Sequence, residues 1–151
     1  MIASLGAPDL KLAGLELWVH GYQFTEAQDA WDGNWLRATA HCGAAGASVP
    51  VTGAFLDKVA VRRFADALAG LHATLAGAAE LATDEPDLSV RLDADGPTGH
   101  IRMRVEITPD QMHQQHVFRF DADQSYLPAA ISQCRKLLDR FPIRDAASRA
   151  V

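Results

Sequence analysis

The chain has 151 residues, 48% hydrophobic and 22% charged, with 19 acids against 14 bases and a formal net charge of −5. That length and balance fit one ordinary globular domain that needs no disulfide or metal staple. The negative balance argues against nucleic-acid binding by bulk charge, and no apolar run approaches the roughly 18 residues of a membrane span.

The opening stretch, MIASLGAPDLKLAGLELW, has no basic start followed by an apolar core, so a soluble cytoplasmic protein with no membrane partner is expected. LAGLELWVHGY alternates: Leu15, Leu17 and Val19 point one way, Glu16, Trp18, His20 and Tyr22 the other. WDGNWLRATAHCG holds an Asp32-Gly33 turn, then a second strand. There Leu36, Ala38, Ala40 and Cys42 share one face, and Trp35, Arg37, Thr39 and His41 the other. GAAGA reads as a turn, and SVPVTGAF as a third strand that Pro50 confines to an edge or a strand start.

A helix follows over LDKVAVRRFADALAGLHATLAG. Val61, Phe64, Ala65, Leu68, Leu71 and Leu75 form its apolar stripe, Asp57 its N-cap and Gly77 its stop. Four short strands come next, in AAELAT, DLSVRLDADG, HIRMRVEIT and QHVFRFDAD; the last should turn Phe118 and Phe120 inward. A final helix runs from about Ser125 to Arg140, with Leu127, Ile131, Cys134, Leu138 and Phe141 on its buried side. The expected fold is therefore α+β and two-layered. A mostly antiparallel sheet of about six or seven strands, in the order βββ-α-ββββ-α, carries two helices on one face. Residues 1–151 read as a single domain with its core over 10–142 and a frayed tail over 143–151.

Asp121, Asp123 and Ser125 are spaced like the opening ligands of a calcium loop. The sixth and twelfth positions are Tyr126 and Ser132, where that loop requires glycine and a bidentate carboxylate. A helix start explains the run better: Asp123 or Ser125 accepts free N–H groups, and Pro128 falls in the first turn. DADGPTG reads as a hairpin turn at Gly96. His113 and His116 lack supporting ligands at zinc spacing, and His20 and His41 are at most a cross-strand pair. Cys42 and Cys134 lie in apolar patterns, as buried thiols do, and no nucleophile elbow or phosphate loop is present. No catalytic residue, metal site or cofactor follows.

By alternation, the outer sheet face carries Trp18, His20, Tyr22, Arg37, His41, Arg91, Arg102, Arg104 and Arg119. These are hot-spot residue types, though Arg–acid pairs could equally lace a solvated face. Acids gather in two loops, Glu26, Asp29 and Asp32 in one, Asp84, Glu85 and Asp87 in the other.

Two stretches, WDGNWLRATAHC and FRFDADQSYLPAAISQCRKLLDRFP, resemble the WapI-type immunity proteins, small bacterial proteins with many uncharacterised relatives. The shared marks are Asn34-Trp35-Leu36, the Asp123-Gln124-Ser125-Tyr126-Leu127 helix start, and the closing Phe141-Pro142. The resemblance implies an intracellular, non-enzymatic protein that neutralises a contact-delivered toxin, often a nuclease, by binding it. On that reading the expected contacts are Glu26, Asp29, Asp32, Asp84, Glu85 and Asp87, with Trp18, Tyr22 and Arg37 as anchors. The alternative is that the Arg- and aromatic-rich sheet face binds a nucleic acid or an anionic small ligand.

Overall fold

The computed structural model describes residues 2–145. One antiparallel sheet holds β1 (Leu10–Leu12), β2 (Leu15–Tyr22), β3 (Trp35–Ala44) and β4 (Ala47–Asp57) in that order. A second holds β5 (Ala78–Leu81), β6 (Leu88–Ala94), β7 (His100–Ile107) and β8 (Val117–Asp123). Helix α1 (Lys58–Thr74) joins the sheets and α2 (Leu127–Arg140) follows β8.

The α+β class and antiparallel pairing stand; the single sheet of six or seven strands is corrected to two sheets of four. Alternation reveals which face a strand buries, but it does not say whether strands on either side of a helix pair with each other. The added strand, β1, spans three residues, too few to display a period. The inward faces of both sheets and one face of each helix close on one apolar cluster. Within it β3 and β4 come against β7 and β8, and α1 against α2 and β5.

Local chemistry sets the element ends. Asp57 is extended at φ −112°, ψ 130°, and its carboxylate accepts the Val59 N–H at 2.7 Å, capping α1. Val61, Phe64, Ala65, Leu68 and Leu71 are buried as their spacing requires. Leu75 leaves the stripe: it turns left-handed at φ 54° and closes the helix by donating its N–H to the Leu71 carbonyl. Asp123 accepts the Ser125 N–H at 2.7 Å and the Ser125 hydroxyl, opening a 3-10 turn over Gln124–Tyr126 ahead of α2. The same Ser125 hydroxyl, then its amide, hold the Asp123 carboxyl below the usual carboxylate range. Among the described residues no group of three or more His, Cys, Asp or Glu is placed to hold a metal.

Helix α2 buries Leu127, Ala130, Cys134 and Leu137, while Ile131, Leu138 and Phe141 pack half-buried at its margins. Cys42 and Cys134 are free and buried, and burial pushes both thiols up to about 12. Gly96 turns the β6–β7 hairpin at φ 79°. Pro50 sits on β4, an edge strand, where its missing N–H costs no ladder bond. Phe118 and Phe120 face the core but remain half-buried, stacked 6.4 Å apart, because β8 is also an edge. No helix among the described residues is long and apolar enough to cross a membrane.

One irregularity changes the side-chain pattern of β2. The register with β3 shifts between Val19, opposite Ala38, and Gly21, opposite Arg37. The extra residue reverses the alternation, so Tyr22 lies opposite core residue Leu36 and turns inward, contrary to the expected outer placement.

Phe64 is fully buried at the centre of α1. Replacing it with alanine should cost about 3–5 kcal/mol in urea unfolding, as cavity formation does elsewhere. A loss below about 1 kcal/mol would contradict its place in a closed core.

Candidate interaction site

The loop joining β2 to β3, residues 23–34, is held from beneath by the segment that follows α2. Asn34 is 1% exposed, and its amide works like a strand partner for Arg144. Its Oδ1 accepts the Arg144 N–H at 2.8 Å, while its Nδ2 donates to the Arg144 carbonyl at 2.8 Å and to the Ala30 carbonyl at 3.2 Å. The Arg144 guanidinium donates to the carbonyls of Phe24 at 3.3 Å, Thr25 at 3.5 Å and Ala27. Arg144 thus turns three loop carbonyls toward itself, although the sequence placed it in a frayed tail. Residues 146–151 of that tail lie outside the described residues.

Tyr22, turned inward by the bulge, forms the floor. Arg144 Cζ lies 3.5 Å and Lys58 Nζ 4.2 Å from its ring centroid, and the Phe141 ring meets it edge-on at 5.5 Å. Lys58 is 1% exposed and donates to the Pro142 carbonyl, which also receives the Tyr22 hydroxyl at 3.4 Å. Burial, then the nearby Arg144 charge, lower the Lys58 pKa to about 8, with Asp57 opposing.

The loop's own residues complete its order. Asp29 accepts the N–H groups of Trp31 at 2.9 Å and Asp32 at 2.8 Å, and these bonds, the Asp32 one first, hold its carboxyl below the usual range. Gly33 packs so tightly that a Cβ there would meet the Asp29 carbonyl oxygen at 2.5 Å. The fixed loop displays Trp31 at 81% and Phe24 at 46% exposure, with Glu26 and Asp32 exposed beside them.

The second acidic loop comes to the same end of the first sheet. Thr83 donates its hydroxyl to the Phe55 carbonyl at 3.0 Å, while the first loop receives the Lys58 N–H at the Asn34 carbonyl, 3.1 Å away. Along an extended chain those anchors are roughly 10 Å apart. Asp84 and Glu85 are exposed on this loop and Asp87 is half-buried.

The expected aromatic anchors are placed differently. Trp18 is 4% exposed and donates its indole N–H to the Gly6 carbonyl at 3.0 Å, under the N-terminal 3-10 turn Ile2–Leu5. Tyr22 supports the loop, and Arg37 is exposed and donates to Gln23 Oε1 at 3.2 Å. Trp31 and Phe24 were missed because they lie outside any alternating run; their signal was a tryptophan in a polar, turn-rich stretch, AQDAWDGNW.

The single Arg-rich face is also corrected, since its residues divide between two sheets. Arg91 pairs with Asp93 and Glu80, Arg104 with Glu106 at 2.6 Å, and Arg102 approaches Asp95 at 3.8 Å. Acids therefore lace this face, which weakens the anion-binding alternative. His20 bonds Thr39 and His41 bonds Ser48, so the two histidines do not pair.

Two of the three family marks converge here: Asn34 clamps the chain just past Phe141-Pro142, both of which touch Tyr22. Residues 9–142 match the family described as "Immunity protein WapI-like family". The chain belongs to the WapI-like immunity protein family. No curated protein matches its sequence. Among solved structures, a chain of a "CdiA-CT/CdiI toxin and immunity complex from Enterobacter cloacae" aligns at 7% identity and a TM-score of 0.44. The alignment covers 81% of this chain and 99% of that one. In this WapI-like chain Asn34 and Phe141-Pro142 thus build the support of a surface loop, while Asp123 to Leu127 open α2.

Lys58 provides a check on that support. Its folded pKa of about 8 lies below the ordinary 10.5, so between those values the unfolded chain holds a proton that the folded chain has released. Stability should rise with pH across that window. Urea midpoints at pH 7.5 and pH 10 should show wild type gaining relative to Lys58→Met; parallel pH dependences would show that Lys58 is not desolvated.

Proposed function

We propose that this WapI-like protein acts in the cytoplasm by binding and neutralising a toxin, with no chemistry of its own, and that the loop from Phe24 to Asp32 is the centre of contact. The observation that carries this reading is Trp31, 81% exposed on a loop fixed by Asn34, Asp29 and Arg144. A large aromatic on an ordered backbone buries area on binding with little ordering cost, which is how hot spots arise. Glu26 and Asp32 flank it, and Asp84, Glu85 and Asp87 approach the same end of the fold. Such an acidic border suits a basic partner, as a nuclease would be, and would speed encounter at low salt.

The test is co-expression with a candidate toxin encoded beside the gene, followed by size exclusion. Wild type should protect cells and co-elute. Trp31→Ala should keep its fold and weaken binding at least tenfold, and Glu26→Lys with Asp32→Lys should slow association most at low salt. Continued killing with no complex would overturn the reading; an unchanged affinity for Trp31→Ala would remove the loop from the contact.

A further inference from the structure

Strand β8 is the free edge of the second sheet. Its backbone phase follows from two bonds that continue the β7–β8 register at either end, Ile107 N–H to the His116 carbonyl and Gln124 N–H to the Gly99 carbonyl. Directly bonded pairs recur every second residue in an antiparallel ladder. Phe118, Phe120 and Ala122 therefore turn their amides to β7, and Val117, Arg119, Asp121 and Asp123 turn theirs outward. An open cleft lined by Lys11, Gly14, Phe120, Asp121, Tyr126 and Gln133 adjoins this edge.

The outward residues carry an unusual charge pattern. Arg119 lies directly opposite Arg104 in the sheet, a like-charge placement that disfavours the pair. Asp121 lies opposite Arg102, but Arg102 turns to Asp95 at 3.8 Å and Arg104 to Glu106, so among the described residues no ion pair is closed by exposed Arg119 or exposed Asp121. One missing neighbour satisfies both. In an antiparallel pairing of β8 with itself, centred on Phe120, Arg119 stands opposite Asp121 of the second copy and Asp121 opposite its Arg119. The outward amides of those same residues then bond each other. On the inner face, half-buried Phe120 meets its own symmetry mate and Phe118 meets Ala122. Shifting either strand by two residues puts Arg119 against Arg119 or Asp121 against Asp121, which opposes those registers.

We propose that β8 is a self-complementary edge through which two copies of this chain pair, joining their second sheets into one eight-stranded sheet about a two-fold axis at Phe120. Closed two-fold pairing of this kind uses one surface patch twice and leaves no second β8 edge to recruit another copy. The proposal is independent of toxin binding, and its test uses the full chain alone.

Sedimentation velocity over a wide concentration range should show a reversible dimer. Arg119→Asp and Asp121→Arg, singly, should each raise the dissociation constant at least tenfold at low salt, with circular dichroism unchanged. The double variant, with both charges exchanged, should bring the constant back to within about threefold of wild type. A wild-type chain that stays monomeric at every concentration overturns the proposal, as does a dimer indifferent to both single variants, or a double variant as weak as the singles.

Discussion

The paired hydrogen bonds between the Asn34 side chain and the backbone of Arg144 are the constraint on which the presented surface depends. They join chain segments 110 residues apart and are shielded from water, since Asn34 is 1% exposed. Breaking them would leave the buried Oδ1 without a partner and Nδ2 with the Ala30 carbonyl alone, which costs more than the bonds themselves contribute. Arg144, once placed, lays its guanidinium over Tyr22 and gathers the loop carbonyls. The order of Trp31 on the surface thus follows from an amide hidden below it.

That amide works only because other parts of the fold agree with it. The bulge in β2 turns Tyr22 inward, giving Arg144 and Lys58 a ring to stack on. The Asp57 cap begins α1 at the residue that brings Lys58 beneath the strap, and α2 ends so that Phe141 meets Tyr22 edge-on. A buried cation beside a second cation is costly by itself. Here the ring face and the Pro142 carbonyl offset part of that cost, and the depressed Lys58 pKa records the remainder.

Features with local causes could be read from the sequence. Asp57, Asp123 and the α1 stripe as far as Leu71 follow from capping chemistry and a 3.6-residue period, and the structure places them accordingly. Features set by long-range pairing could not. Nothing in the alternation of β4 or β5 reports that α1 separates two sheets. A single inserted residue near His20 moved Tyr22 to the other face, and the short turn Ile2–Leu5 covered Trp18, an outward residue by parity. The acidic residues of both loops were visible, but the exposed Trp31 between them was not, because a loop has no period to announce which side chains face water. Family resemblance marked Asn34 and Phe141-Pro142; only the fold reveals that they belong to one clamp.

The clamp also separates sequence boundary from functional boundary. The family match ends at residue 142, whereas the guanidinium that gathers the loop belongs to residue 144. A chain trimmed to the matched span would keep both sheets, both helices and every family mark. It would nevertheless release the carbonyls of Phe24, Thr25 and Ala27, and with them the attitude of Trp31. In such a protein two residues beyond the matched span separate a folded chain from one whose surface loop is fixed.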